Sequence, residues 1–368
     1  MNRIHKIITF LKAWLFGAMG CQSVFGALVV TGWSYRYCER RVFGFWQKKA
    51  GILTKGYRSP RWLRSEDPWS GTWWQRTKLL FRSLKINLFS GTGHGFTAFL
   101  ATLVPGLLLA LAWWAGWNNS FHKGYEQSGV GPGLGVLGIL IMAFSLIYLP
   151  MAQIHQAVHR RVGAFFDFRQ IICIIIETPW GSLFMAFLTA LCGLPFVLSA
   201  LYLSSAVATN PELLELPPVE IVEYLNSYYF LWGALYVFPA FLLLRLLAAR
   251  IYAIACWQLS HQGRYLHPEI DQLVTITPVL IRGRIGRYWQ RIWKTTVFST
   301  CYIALLGFSA LPLISQFSAA LPATKRWLVH PMVQFPFHHH IPLPLQEAAK
   351  SAFAHEQSGF ISWLDAQE

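Results

Sequence analysis

LGVLGILIMAFSLIYLPMA, residues 134–152, contains no charged side chain. A helix needs about 20 apolar residues to cross the ~30 Å hydrocarbon layer of a bilayer. Lipid offers no partner for an unpaired backbone N–H or C=O, so helix is the form such a run takes. Five more stretches read the same way, roughly 8–33, 95–117, 181–207, 228–256 and 296–317. Tryptophans mark several of their ends, among them Trp33, Trp117, Trp180, Trp257 and Trp293, as expected where amphipathic rings sit at headgroup level. Of 368 residues, 54% are hydrophobic and 13% charged, with a mean hydropathy of +0.39. That is too little charge to cover a soluble domain of this size. The expected fold class is therefore all-α: a polytopic transmembrane helical bundle of about six spans.

The net charge of +15 is unevenly placed. Segment 34–94 holds thirteen Lys and Arg residues against Glu39, Glu66 and Asp67. Segments 153–180 and 257–295 are also basic, whereas 118–133 is nearly neutral and 208–227 has four Glu and no basic residue. Cytoplasmic loops carry the Lys/Arg excess, so this alternation predicts a multi-pass protein of the inner (cytoplasmic) membrane. Its domains would be a transmembrane part, 1–317, with a basic cytoplasmic loop, 34–94, and a Pro- and His-containing non-cytoplasmic tail, 318–368. Basic loops held against a membrane explain the charge without nucleic acid.

Two basic stretches have the pattern of helices lying in the membrane surface. In 73–88, Trp73, Trp74, Leu80 and Phe81 share a face beside Lys78, Arg82 and Lys85. In 279–294, Ile281, Ile285, Tyr288 and Trp289 oppose Arg284, Arg287 and Arg291. Such helices suit an anionic leaflet, so anionic membrane lipids are the expected partners. The glycine runs Gly91–Gly95 and Gly129–Gly135 lack the strand–helix context and GK[ST] of a phosphate loop and read as hinges.

Candidate chemistry is sparse. Arg245 and Arg250 fall inside an apolar run, where a charge is costly to bury and marks a candidate cargo-binding or structural site. Snorkelling to the headgroups is the competing explanation, above all for Arg250. His155 and His159, four apart, would share a helical face and could hold a metal, but HExxH is absent. The six cysteines form no CxxC pair and read as free thiols. No Asp or Glu occupies the middle of a span, which counts against ion-coupled transport.

The segment GAFFDFR (Gly163–Arg169) follows a proline-ended apolar run and precedes another, downstream of TGWSYRYCERRV and SPRWLRSEDPW. This order resembles a domain-of-unknown-function family of prokaryotic multi-span membrane proteins. The resemblance implies a prokaryotic polytopic protein and assigns no activity or cofactor. Asp167 and Arg169 would then form a boundary turn, within reach of Arg160 or Glu177.

These features favour a non-catalytic accessory, assembly or scaffold subunit, with other membrane-protein subunits as partners. A transporter or channel for an anionic or lipid-like cargo is the alternative, and a lipid-modifying membrane enzyme using His155 and His159 is the second alternative.

Overall fold

A computed structural model describes residues 3–50, 72–112, 130–209, 218–262 and 332–337, together with 292, 293, 296, 299, 300 and 302. Seven α-helices carry the described fold, and no strand occurs among the described residues. They are α1 (Arg3–Gly20), α2 (Val24–Ala50), α3 (Trp73–Ala112), α4 (Val130–His159), α5 (Phe168–Glu177), α6 (Pro179–Thr209) and α7 (Pro218–His261). A 3₁₀ helix, Val162–Phe166, links α4 to α5.

Local chemistry sets the boundaries. The apolar run 8–33 is two helices, not one span, because Ser23 restarts the chain. Its hydroxyl accepts the Gly26 N–H at 3.0 Å, as an N-cap residue does. Trp33 therefore lies inside α2 and does not close a span. α3 begins with one half of a capping box: the Thr72 N–H donates to Gln75 Oε1 at 3.1 Å, satisfying one of the donors a helix start leaves over. Nothing stops this helix before Ala112, so residues 73–88 are the first part of a 40-residue helix and not a separate surface helix. Trp73, Trp74, Leu80 and Phe81 are exposed on it. Gly91–Gly95 is helix interior and not a hinge. Thr178 separates α5 from α6, which meet at 100°, and Pro179 opens α6 in the position where its missing N–H costs nothing.

α3 packs between α2 and α4, and α7 packs against α1, α2, α4, α5 and α6. Two glycines bring α2 and α3 into backbone contact. A Cβ on Gly32 would lie 1.8 Å from the Asn87 carbonyl oxygen, and one on Gly91 would lie 1.8 Å from that of Leu28. Small residues permit this close approach of membrane helices. Trp46 anchors α2 to α7, its indole N–H donating to the Ala253 carbonyl at 3.0 Å. Tyr35, Trp46, Met151, Phe241 and Tyr252 are fully buried in the shared core.

Two helical segments are long and apolar enough to cross a membrane, Val136–His159 and Leu235–His261. The bent pair Phe168–Glu177 and Pro179–Gly193 would make a third if it counts as one broken span. Four of the expected spans thus have no unbroken crossing helix among the described residues. The run 8–33 is split, 181–207 lies in the bent arm, 95–117 is described only to 112, and most of 296–317 lies outside the described residues. Met332–Phe337 is not a free tail: Met332, Val333 and Gln334 are buried within the bundle.

Candidate functional site

The antiparallel α2–α3–α4 arrangement brings together three basic segments distant in sequence. Arg36 and Arg40 come from the middle of α2, Arg82 from the first part of α3, and Arg160 and Arg161 from the end of α4. All five line one cavity of about 1040 Å³. Its lining also includes Trp33, Leu79, Ile86, Phe89 and Val162, so charged and apolar side chains both face it. Glu39 is the sole acidic residue in the lining; five arginines against one glutamate leave a net of four positive charges.

Two of these arginines are held in place. Arg36 donates from Nη1 to Asn87 Oδ1 at 3.0 Å. Burial, then Arg40 and Arg160, lower its proton affinity below the usual guanidinium range, while Glu39 opposes them. The cavity's cations therefore repel one another, which an anion would relieve. Arg160 forms a fork with Glu39, Nε to Oε1 at 2.8 Å and Nη2 to Oε2 at 3.2 Å. Glu39 is 3% exposed. Arg160 has φ 55, a left-handed conformation that glycine usually takes after a helix. The bidentate pair is what holds a long side chain there.

His94 and Gln156 close the buried end of the cavity, at 3% and 4% exposure. Gln156 hydrogen-bonds the Thr97 hydroxyl at 2.8 Å and the His94 ring. The His94 ring stacks on Tyr35 with centroids 4.0 Å apart. Beyond Tyr35 lies Arg245, fully buried, its guanidinium 5.7 Å from the Tyr35 ring centroid and 4.7 Å from that of Phe241. Its Nη2 donates to the carbonyls of Met332 at 3.0 Å and Val333 at 2.9 Å. Gln334 adds a bond to Thr102 Oγ1 at 2.8 Å. A polar line thus runs from the arginine basin through His94 and Tyr35 to Arg245 and the inserted 332–337 segment.

The expected site residues are distributed unevenly over this geometry. Arg245 is central to it, while Arg250 is exposed at the α7 surface. Arg82 lines the cavity, whereas Lys78 and Lys85 do not. Arg284, Arg287 and Arg291 lie outside the described residues.

His155 is fully buried, its Nδ1 2.8 Å from the Tyr252 hydroxyl and its Nε2 3.8 Å from Asp167. His159 is its neighbour, with ring centroids 4.2 Å apart. Among the described residues no group of three or more His, Cys, Asp or Glu could hold a metal ion. Asp167 faces His155, not Arg160, which is committed to Glu39, and Arg169 is exposed. Sequence reasoning missed Tyr35, Glu39, Asn87, His94 and Gln156. The signal for α3 was present: Asn87, Gly91, His94, Ala98 and Thr102 fall at helical spacing and are the buried stripe of that helix.

Compared with protein-family models, with curated proteins and with solved structures, the chain matches none.

Proposed function

We propose that this chain is a multi-pass protein of the inner membrane that binds and carries an anionic, lipid-like molecule. One observation supports this reading above the others: five arginines line a single cavity of about 1040 Å³ together with apolar side chains that include Trp33, Leu79, Ile86, Phe89 and Val162, and with one carboxylate among them. An amphiphile with an acidic headgroup matches both halves of that lining. Arginine forks suit phosphate and carboxylate oxygens, and Trp33, Leu79, Ile86 and Phe89 suit an acyl or prenyl chain. An accessory subunit needs no such cavity, and a metal-dependent lipid enzyme needs a ligand set that His155 and His159 do not complete among the described residues.

The test is native mass spectrometry of the intact chain released from a mild detergent. The expected spectrum retains one phosphatidylglycerol-class lipid per chain in preference to phosphatidylcholine. The double variant Arg40→Ala/Arg82→Ala should lower that retention about tenfold, since two charge-assisted contacts of under 1 kcal/mol each amount to roughly 1.4 kcal/mol. Equal retention of both lipids, unchanged in the variant, contradicts the reading. Other polypeptides held at fixed stoichiometry would restore the accessory-subunit alternative.

A further inference from the structure

Arg245 is a fully buried cation whose partners among the described residues are all neutral: two main-chain carbonyls and two aromatic rings. No carboxylate lies within 4.0 Å of it among the described residues. A buried charge of this kind is stable only when paired or fully hydrogen-bonded, yet its Nε has no hydrogen-bond partner among the described residues. The Tyr35 hydroxyl and His94 Nδ1 are likewise buried without a partner there. Three unused polar groups on three different helices thus follow one another from the His94 end of the cavity through Tyr35 to the Arg245 guanidinium.

We propose that Arg245, Tyr35 and His94 form an inner site for the ligand's phosphate-like anion, reached from the arginine-lined cavity past His94. This inference rests on the reading of the cavity as an anion-binding basin. The guanidinium is now occupied by the carbonyls of Met332 and Val333. A charged oxygen is a stronger acceptor than a neutral carbonyl, so anion and segment compete for the same donors. Arrival of the anion breaks the two bonds from Arg245 and loosens the 332–337 segment, which Gln334 also ties to Thr102 Oγ1. The segment is in this sense a competitor built into the chain, and its hold on Arg245 sets how tightly the inner site binds.

The experiment uses the 368-residue chain in phosphatidylcholine nanodiscs. The probes are inorganic phosphate and dihexanoyl phosphatidic acid, followed by calorimetric titration and by hydrogen exchange of the Val333, Gln334, Phe335 and Phe337 amides. Binding should speed exchange of those amides at least tenfold. Gln334→Ala, which removes the bond to Thr102 and so weakens the competitor, should tighten binding about fivefold. Arg245→Gln should leave outer binding in place but remove the coupling between binding and exchange. Tyr35→Phe, which keeps the ring and loses the hydroxyl, should weaken binding severalfold and serves if Arg245→Gln fails to fold. A response to both probes identifies the phosphate group as sufficient; a response to phosphatidic acid alone makes a lipid headgroup the source. Binding that leaves segment exchange unchanged, with Gln334→Ala at wild-type affinity, overturns the inner site and leaves the basin standing. If neither probe binds, the basin reading falls, and the inner site with it.

Discussion

Alanine at Gly32 or at Gly91 is expected to destroy the α2–α3 pairing, with a loss of stability of at least about 3 kcal/mol. Each added Cβ would meet a backbone oxygen of the facing helix at 1.8 Å, well inside van der Waals contact. The obstacle is backbone, so no side-chain rotation can yield; the helices must separate. Separation strips α2 of its contacts with α3 and moves Arg36 away from Asn87, to which it donates at 3.0 Å. The cavity would open with it, since α2 and α3 supply most of its lining. Gly44 is the control: it lies in the same helix α2, and nothing stands within 4 Å of its added Cβ. Gly44→Ala should be neutral or raise stability by about 0.5–1 kcal/mol through helix propensity. Thermal unfolding of the three variants in one detergent measures the contrast. Equal midpoints for Gly91→Ala and Gly44→Ala would rule out the close helix contact.

Arg160→Met is expected to cost about 2 kcal/mol or more, less than a fully buried pair would because the Arg160 side chain is 43% exposed. The cost comes from the partner left behind. Glu39 is only 3% exposed, and a buried carboxylate stripped of its bidentate partner is poorly solvated. Arg160→Gly should be milder than Arg160→Met. Glycine takes the left-handed conformation at φ 55 without strain, which recovers on the order of 1 kcal/mol. Adding Glu39→Gln to either variant removes the carboxylate charge that has lost its fork and should restore part of the remaining loss. Unfolding midpoints of the single and double variants form the cycle that isolates the pair. Additive effects would show that the ion pair contributes nothing to the fold.

The apolar runs at 134–152 and 228–256 were legible because lipid imposes one requirement on every residue in them. The crossing-length segments Val136–His159 and Leu235–His261 overlap them. Arg245 was legible for the same reason, a charge where the run tolerates none. The break at residues 21–23 was harder to see. Ser23 is a recognisable cap, but the hydropathy of 8–33 conceals a local stop that costs few apolar residues. What the sequence concealed was pairing. Arg160 meets Glu39 across 121 residues, Arg36 meets Asn87 across 51, and Arg245 meets Met332 across 87. Those distances are set by how closely α2 and α3 approach, which depends on Gly32 and Gly91 lying opposite backbone. Those glycines, read alone, resemble hinge residues. Charge patterning grouped the basic residues into a few segments but could not show that five of the arginines surround one space.

The central claim is that this space holds an anionic amphiphile, and photolabelling tests it most directly. A phosphatidic acid analogue with a photoreactive group beside its headgroup is crosslinked to the chain in phosphatidylcholine nanodiscs, and the adducts are located by peptide mass spectrometry. The expected adducts fall within 33–40, 79–94 and 156–162, the three segments that line the cavity, and are displaced by unlabelled phosphatidic acid. Adducts confined to outward-facing positions such as Phe16, Phe184 and Leu243, unaffected by competitor, would mean that the lipid only bathes the protein and that the arginine-lined cavity is not its binding site.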